Sequence, residues 1–62
     1  DMPGLAVLQY RAADYQVVRP GRFVICAVSG AEIPLSELAY WSEARQEAYR
    51  SATEATRALA GV

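Results

Sequence analysis

The sequence predicts a small α+β domain, an antiparallel sheet of three or four short strands followed by one or two C-terminal helices. Three observations carry this. Apolar runs at Leu5–Tyr10, Tyr15–Arg19 and Phe23–Val28 are separated by turn-forming residues, which is the layout of paired strands. From Ser42 onward the chain is rich in Ala, Glu, Gln and Arg, all good or tolerable helix formers. The length of 62 residues admits one domain, and at this size only about 60% of the unfolded surface is buried, so a staple or a partner is usual. The division is an irregular lead-in at 1–4, a strand region at 5–41 and a helical region at 42–60.

Met2-Pro3-Gly4 reads as a loosely held lead-in. Leu5–Tyr10 suits a strand with one buried face, and Arg11-Ala12-Ala13-Asp14 reads as a turn in which Asp14 accepts a backbone hydrogen bond. Tyr15–Arg19 returns as a second strand. Arg19-Pro20-Gly21-Arg22 is expected to be a type II turn, with proline presetting the second position and glycine taking a positive φ at the third. Phe23–Val28, apolar throughout, is the expected central strand, covered on both faces. Ser29-Gly30-Ala31-Glu32 turns the chain. Ile33 is extended because Pro34 follows it.

Ser36-Glu37 is read as a turn, with Leu38–Trp41 as a fourth short strand; a helix starting at Ser36 is the alternative. Ser42 is expected to start a helix, since Glu43 suits the positive end and good helix formers follow. Ser51-Ala52-Thr53-Glu54 has capping-box spacing and marks a second helix to Ala60, with Gly61 past its end. Equally, Ala44, Ala48, Ala52, Ala55 and Leu59 form one stripe of a single continuous helix. Both alternatives are open at this level. The alanine stripe buries little area and permits close approach of another surface, so Ala44, Ala48, Tyr49, Ala52, Ala55 and Leu59 are the candidate interface.

Composition narrows the function. Six arginines, no lysine and seven acids give a net charge of −1, and the arginines are spread along the chain, unlike the clustered cations of a nucleic-acid binder. One cysteine and no histidine remove an internal disulfide, the commonest general base and the commonest zinc ligand together. Without His or Lys, Ser29, Ser36, Ser42 and Ser51 have no evident activating base. No run approaches the roughly 18–20 apolar residues that span a bilayer, and no basic segment precedes Leu5–Leu8 as in a signal peptide. The expectations are a cytoplasmic, non-catalytic interaction module without metal, cofactor, nucleic acid or membrane, working as an accessory subunit of a larger assembly or as a homo-oligomer.

The string Cys26-Ala27-Val28-Ser29-Gly30, then Ile33-Pro34-Leu35, then Tyr40-Trp41-Ser42 and Arg45-Gln46-Glu47-Ala48-Tyr49 resembles the signature of a family of short alphaproteobacterial proteins of unknown function. That resemblance spans residues 7–50 and implies a small soluble bacterial protein with no transferable activity. More distantly, the layout resembles a treble-clef zinc finger, a knuckle of the form C-x-x-C-G followed by a hairpin and by Y-C-S-x-x-C. In this alignment Cys26, Ser29, Trp41 and Arg45 stand at the ligand positions. An indole and a guanidinium cannot ligate zinc, so the resemblance implies a treble-clef-like fold without metal, with Trp41 filling the vacated volume. It also implies a second candidate, a small-ligand or redox-sensing thiol at Cys26 whose pKa Arg45 and a helix N-terminus would lower.

Overall fold

A computed structural model describes residues 3–60. Three antiparallel hairpins are followed by one helix: β1 (Val7–Tyr10) with β2 (Tyr15–Arg19), β3 (Phe23–Ile25) with β4 (Glu32–Pro34), β5 (Tyr40–Ser42) with β6 (Glu47–Tyr49), then α1 (Ala52–Ala60). The α+β class is therefore as the sequence predicts, but the strands form three two-stranded sheets and not one. A parallel bridge between Cys26 and Ala48 brings the second and third hairpins side by side, with Ala27 N–H donating to the Ala48 carbonyl at 2.9 Å. The core lies where they meet: Val24, Cys26, Ile33, Ala48 and Tyr49 are buried, with Ala6 and Tyr10 joining from the first hairpin.

The lead-in is held. The Gly4 carbonyl accepts from Arg22 N–H at 2.6 Å and from Phe23 N–H at 3.2 Å, and Ala6 N–H donates to the Phe23 carbonyl at 2.8 Å. Asp1 and Met2 lie outside the described residues, as does the Gly61 expected to end the helix. This crossing also corrects the turn at Pro20-Gly21. Among the described residues the positive-φ glycines are Gly4 and Gly30; Gly21 is required for space, since a Cβ there would overlap the backbone of Gly4, Leu5 and Ala6.

Leu35–Glu37 forms a single 3-10 turn, so no helix runs from Ser36, and the fourth strand expected over Leu38–Trp41 appears as β5, starting two residues later and ending one later. The helical region starting at Ser42 is corrected. Ser42 does open one helical turn, its Oγ accepting Arg45 N–H at 3.1 Å and its carbonyl accepting Gln46 N–H at 2.8 Å. Gln46 then takes φ +55°, the left-handed conformation that ends a helix, and the chain returns as β6. Ser51 starts the only α-helix among the described residues: its carbonyl accepts Ala55 N–H at 3.0 Å and its hydroxyl donates to Glu54, the acid of the capping box. That bond and the helix-start backbone hold the Glu54 carboxyl below its usual range.

Candidate functional site

Two regions merit description, the sulfur of Cys26 and the surface between α1 and the first hairpin. Cys26 is 1% exposed and directly follows β3, where the chain turns through Gly30, whose N–H donates to the Cys26 carbonyl at 3.0 Å. Its Sγ accepts backbone N–H groups from Ser29 at 3.4 Å and from Arg50 at 3.3 Å. Burial pushes the thiol pKa up, but the Ser29 side chain and the backbone of Ser29, Arg50 and Val28 outweigh it and bring the thiol below its ordinary value. The donors favour the thiolate because each N–H dipole points its positive end at the sulfur.

Of the positions matched to zinc ligands, Ser29 alone lies against this sulfur. Trp41 packs instead against the first hairpin, stacked on Tyr10 at 6.2 Å and edge-on to Tyr15 at 5.6 Å, with its indole N–H donating to the Arg11 carbonyl at 2.7 Å. Arg45 sits exposed in the β5–β6 turn, where its charge acts on Tyr49. The pairing of Cys26 with Arg45 is thus corrected: the backbone of Arg50, where the chain leaves β6 for α1, occupies that place. Among the described residues no three of His, Cys, Asp and Glu come together in a metal-binding cluster.

The candidate interface residues divide. Ala48 and Tyr49 are 2% and 0% exposed, so they belong to the core, because β6 lies inside the layer and not on a helix. Tyr49 directs its hydroxyl to Glu47 Oε2 at 2.8 Å. Ala44 is exposed, but in the β5–β6 turn. Ala52, Ala55 and Leu59 are on α1, which has no buried residue. Ala55 and Leu59 line a groove of about 390 Å³ with Ala12, Ala13, Tyr40 and Trp41. Tyr40 and Leu59 are 43% and 52% exposed there. Its lining carries no charged side chain.

Sequence reasoning missed the side-chain joints between hairpins. Gln46 accepts Tyr10 N–H on its Oε1 at 2.8 Å, and its Nε2 donates to the Tyr10 carbonyl at 2.7 Å and to the Glu43 carbonyl at 2.8 Å. Arg50 reaches Glu37 at 3.2 Å across the surface. No local signal marks such contacts, since Tyr10 and Gln46 are 36 positions apart.

A family described as an uncharacterized protein conserved in bacteria (DUF2093) matches residues 17–58. The chain belongs to this family. The match begins within β2 and ends within α1, so it takes in the buried layer, Cys26 and the Gln46 turn. No curated protein matches the chain, and no solved structure does. None of the helices is long and apolar enough to cross a membrane among the described residues.

Proposed function

We propose that this protein is a non-catalytic interaction module, an accessory subunit of a larger assembly or a homo-oligomer, acting in the cytoplasm. The observation that carries it is the uncharged groove between the Ala12-Ala13 turn, β5 and α1, with Tyr40 and Leu59 left exposed at its sides. The small alanines of the lining admit a close approach, and the two larger side chains supply contact area. A net charge of −1 with dispersed arginines favours a protein partner over nucleic acid. Absence of His and Lys supports a binding role over general acid–base chemistry. An alphaproteobacterial family built on a treble-clef frame that dispenses with zinc is the ancestry that goes with this reading; the contact of Ser29 N–H with the Cys26 sulfur supports it.

Affinity capture with the wild-type chain and with Leu59→Lys, run in parallel with sedimentation of both, tests the proposal. A partner or self-association that Leu59→Lys removes while the fold is kept supports it; identical behaviour of the two chains overturns the groove. Thiol-based sensing at Cys26 is the second reading, favoured by the N–H donors around the sulfur. Its burial at 1% exposure stands against it, and thiol reactivity of the native chain separates the two.

A further inference from the structure

The first hairpin has two edges, and the chain seals one of them. Arg11 N–H donates to the Asp14 carbonyl at 2.8 Å, so in the register Gln9↔Gln16 and Tyr10↔Tyr15 the alternation of an antiparallel ladder makes Tyr10 and Tyr15 a pair that does not exchange backbone hydrogen bonds. Their N–H and C=O groups point outward. On the β1 side this is what Gln46 meets, since its amide takes both groups of Tyr10. On the β2 side the outward groups belong to Tyr15 and, by the same alternation, Val17. They have no partner among the described residues. Val17 and Val18 are 47% and 62% exposed, and Val18 is the most exposed large apolar residue of the described chain.

We propose that β2 pairs antiparallel with β2 of a second copy, in the register centred on Gln16. A two-fold pair requires one residue to face itself. Centring on Gln16 sets Tyr15 opposite Val17 of the other copy, twice, which satisfies the outward N–H and C=O groups of both residues. Centring on Val17 would need Arg19, which the irregularity in the pairing between Val7 and Leu8 turns out of step. The chosen register also makes two aromatic–β-branched cross-strand pairs and places two Gln16 amides face to face. Charge supports the same orientation. β2 is preceded by Asp14, which is ion-paired with Arg11 at 2.8 Å, and ends in Arg19; in this register Asp14 faces Val18 and Arg19 faces Ala13 of the other copy, so each Arg19 lies one position from the other copy's Asp14, whereas parallel addition would set like charges together. The contact is short, so the dimer is one that forms and dissociates with concentration. It goes beyond the interaction module by naming a second copy as occupant and by using a surface other than the α1 groove.

Sedimentation velocity over a concentration series tests this. The wild-type chain should shift toward the dimer as concentration rises. Val17→Pro removes only an outward N–H, a substitution that an edge strand tolerates, and should weaken self-association about tenfold or more with the Trp41 near-UV signal kept. Arg19→Asp, on an exposed side chain, should weaken it as well, since it sets an acid near Asp14 of the other copy. A wild-type chain that stays monomeric at every concentration overturns the proposal, as does Val17→Pro or Arg19→Asp with undiminished association. Loss of association on Leu59→Lys but not on Val17→Pro puts the second copy on the α1 groove, which overturns the β2 pairing and leaves the interaction module standing.

Discussion

The side-chain amide of Gln46 lies against the peptide of Tyr10 as a neighbouring strand would, accepting its N–H at 2.8 Å and donating to its carbonyl at 2.7 Å. This bond pair and the Trp41 indole on the Arg11 carbonyl join the first hairpin to the third. Gln46 holds a left-handed backbone that costs a non-glycine residue about 1–2 kcal/mol, which the three bonds of its amide offset.

Gln46→Ala should therefore destabilise the fold by about 1–3 kcal/mol, because Tyr10 loses its partners in a part-buried place. Gln46→Gly relieves the backbone strain and should lose less. Denaturant unfolding checks both, and hydrogen exchange at the Tyr10 amide should speed up in each variant. Unchanged Tyr10 exchange would show that the amide is not the partner that protects it.

Gly21→Ala should destabilise by about 1–3 kcal/mol or more, as overpacking does, since its Cβ overlaps backbone that cannot rotate away. Gly30→Ala acts by strain alone, as nothing lies near its Cβ but φ is +77°, and should cost about 1 kcal/mol. Thermal melts that rank Gly30→Ala as the more damaging would contradict the close crossing at Gly21.

Alkaline pH should unfold the protein through its buried tyrosines. Burial raises the pKa of Tyr49, with Glu47 adding to it through its hydrogen bond and charge, and burial followed by the charge of Tyr15 raises that of Tyr10. Below the unfolded value of about 10 both states keep the proton and the stabilisation is complete. As pH rises through the folded values the unfolded chain has already released its protons, so stability falls. Urea midpoints measured from pH 8 to 12 should drop above pH 10, and Tyr49→Phe should flatten that drop.

Cys26 has the opposite sign. Its folded pKa is lowered, so it contributes nothing at low pH and adds stability as pH rises through the folded value, reaching its full contribution above the unfolded one. Cys26→Ala should remove this rise and cost about 1–3 kcal/mol by leaving the Ser29 and Arg50 N–H groups without an acceptor. The native thiol should react with a water-soluble disulfide reagent only as fast as the fold opens. Fast reaction in the folded state would revive sensing at Cys26.

How far the sequence could be read follows from where each signal acts. Tyr15–Arg19, the Ser51–Glu54 capping box and the first half of the apolar run Phe23–Val28 were legible because propensity and spacing within a few residues decide them; the run is a strand only over Phe23–Ile25, at the side of a two-stranded sheet and not at a sheet's centre, and turns from Ala27. The third hairpin was not. Glu43 to Ala48 favour a helix residue by residue, and Ser42 caps a first turn as its type demands; what reverses the chain is Gln46, whose left-handed backbone is compensated by Tyr10, far away in sequence. Ala48 read as a helix-stripe residue because its small size gives no hint of its place opposite Trp41 and beside Cys26. Of the candidate interface residues, only Ala52, Ala55 and Leu59 lie on a helix, the part of the expected stripe whose helical spacing is real.

That α1 buries none of its residues has a consequence for motion. A helix of nine residues is shorter than the roughly 12–15 that are even marginal in water alone, so its order is lent by the strands it rests on. Opening it exposes little apolar surface and need not disturb Ile33, Cys26 or Tyr49. Amides in α1 should consequently exchange with solvent through local fraying at a low free energy, while those of the buried layer wait for the whole molecule to unfold. A binding partner covering Leu59 would then slow exchange along one segment only, and its footprint would be readable against a silent core.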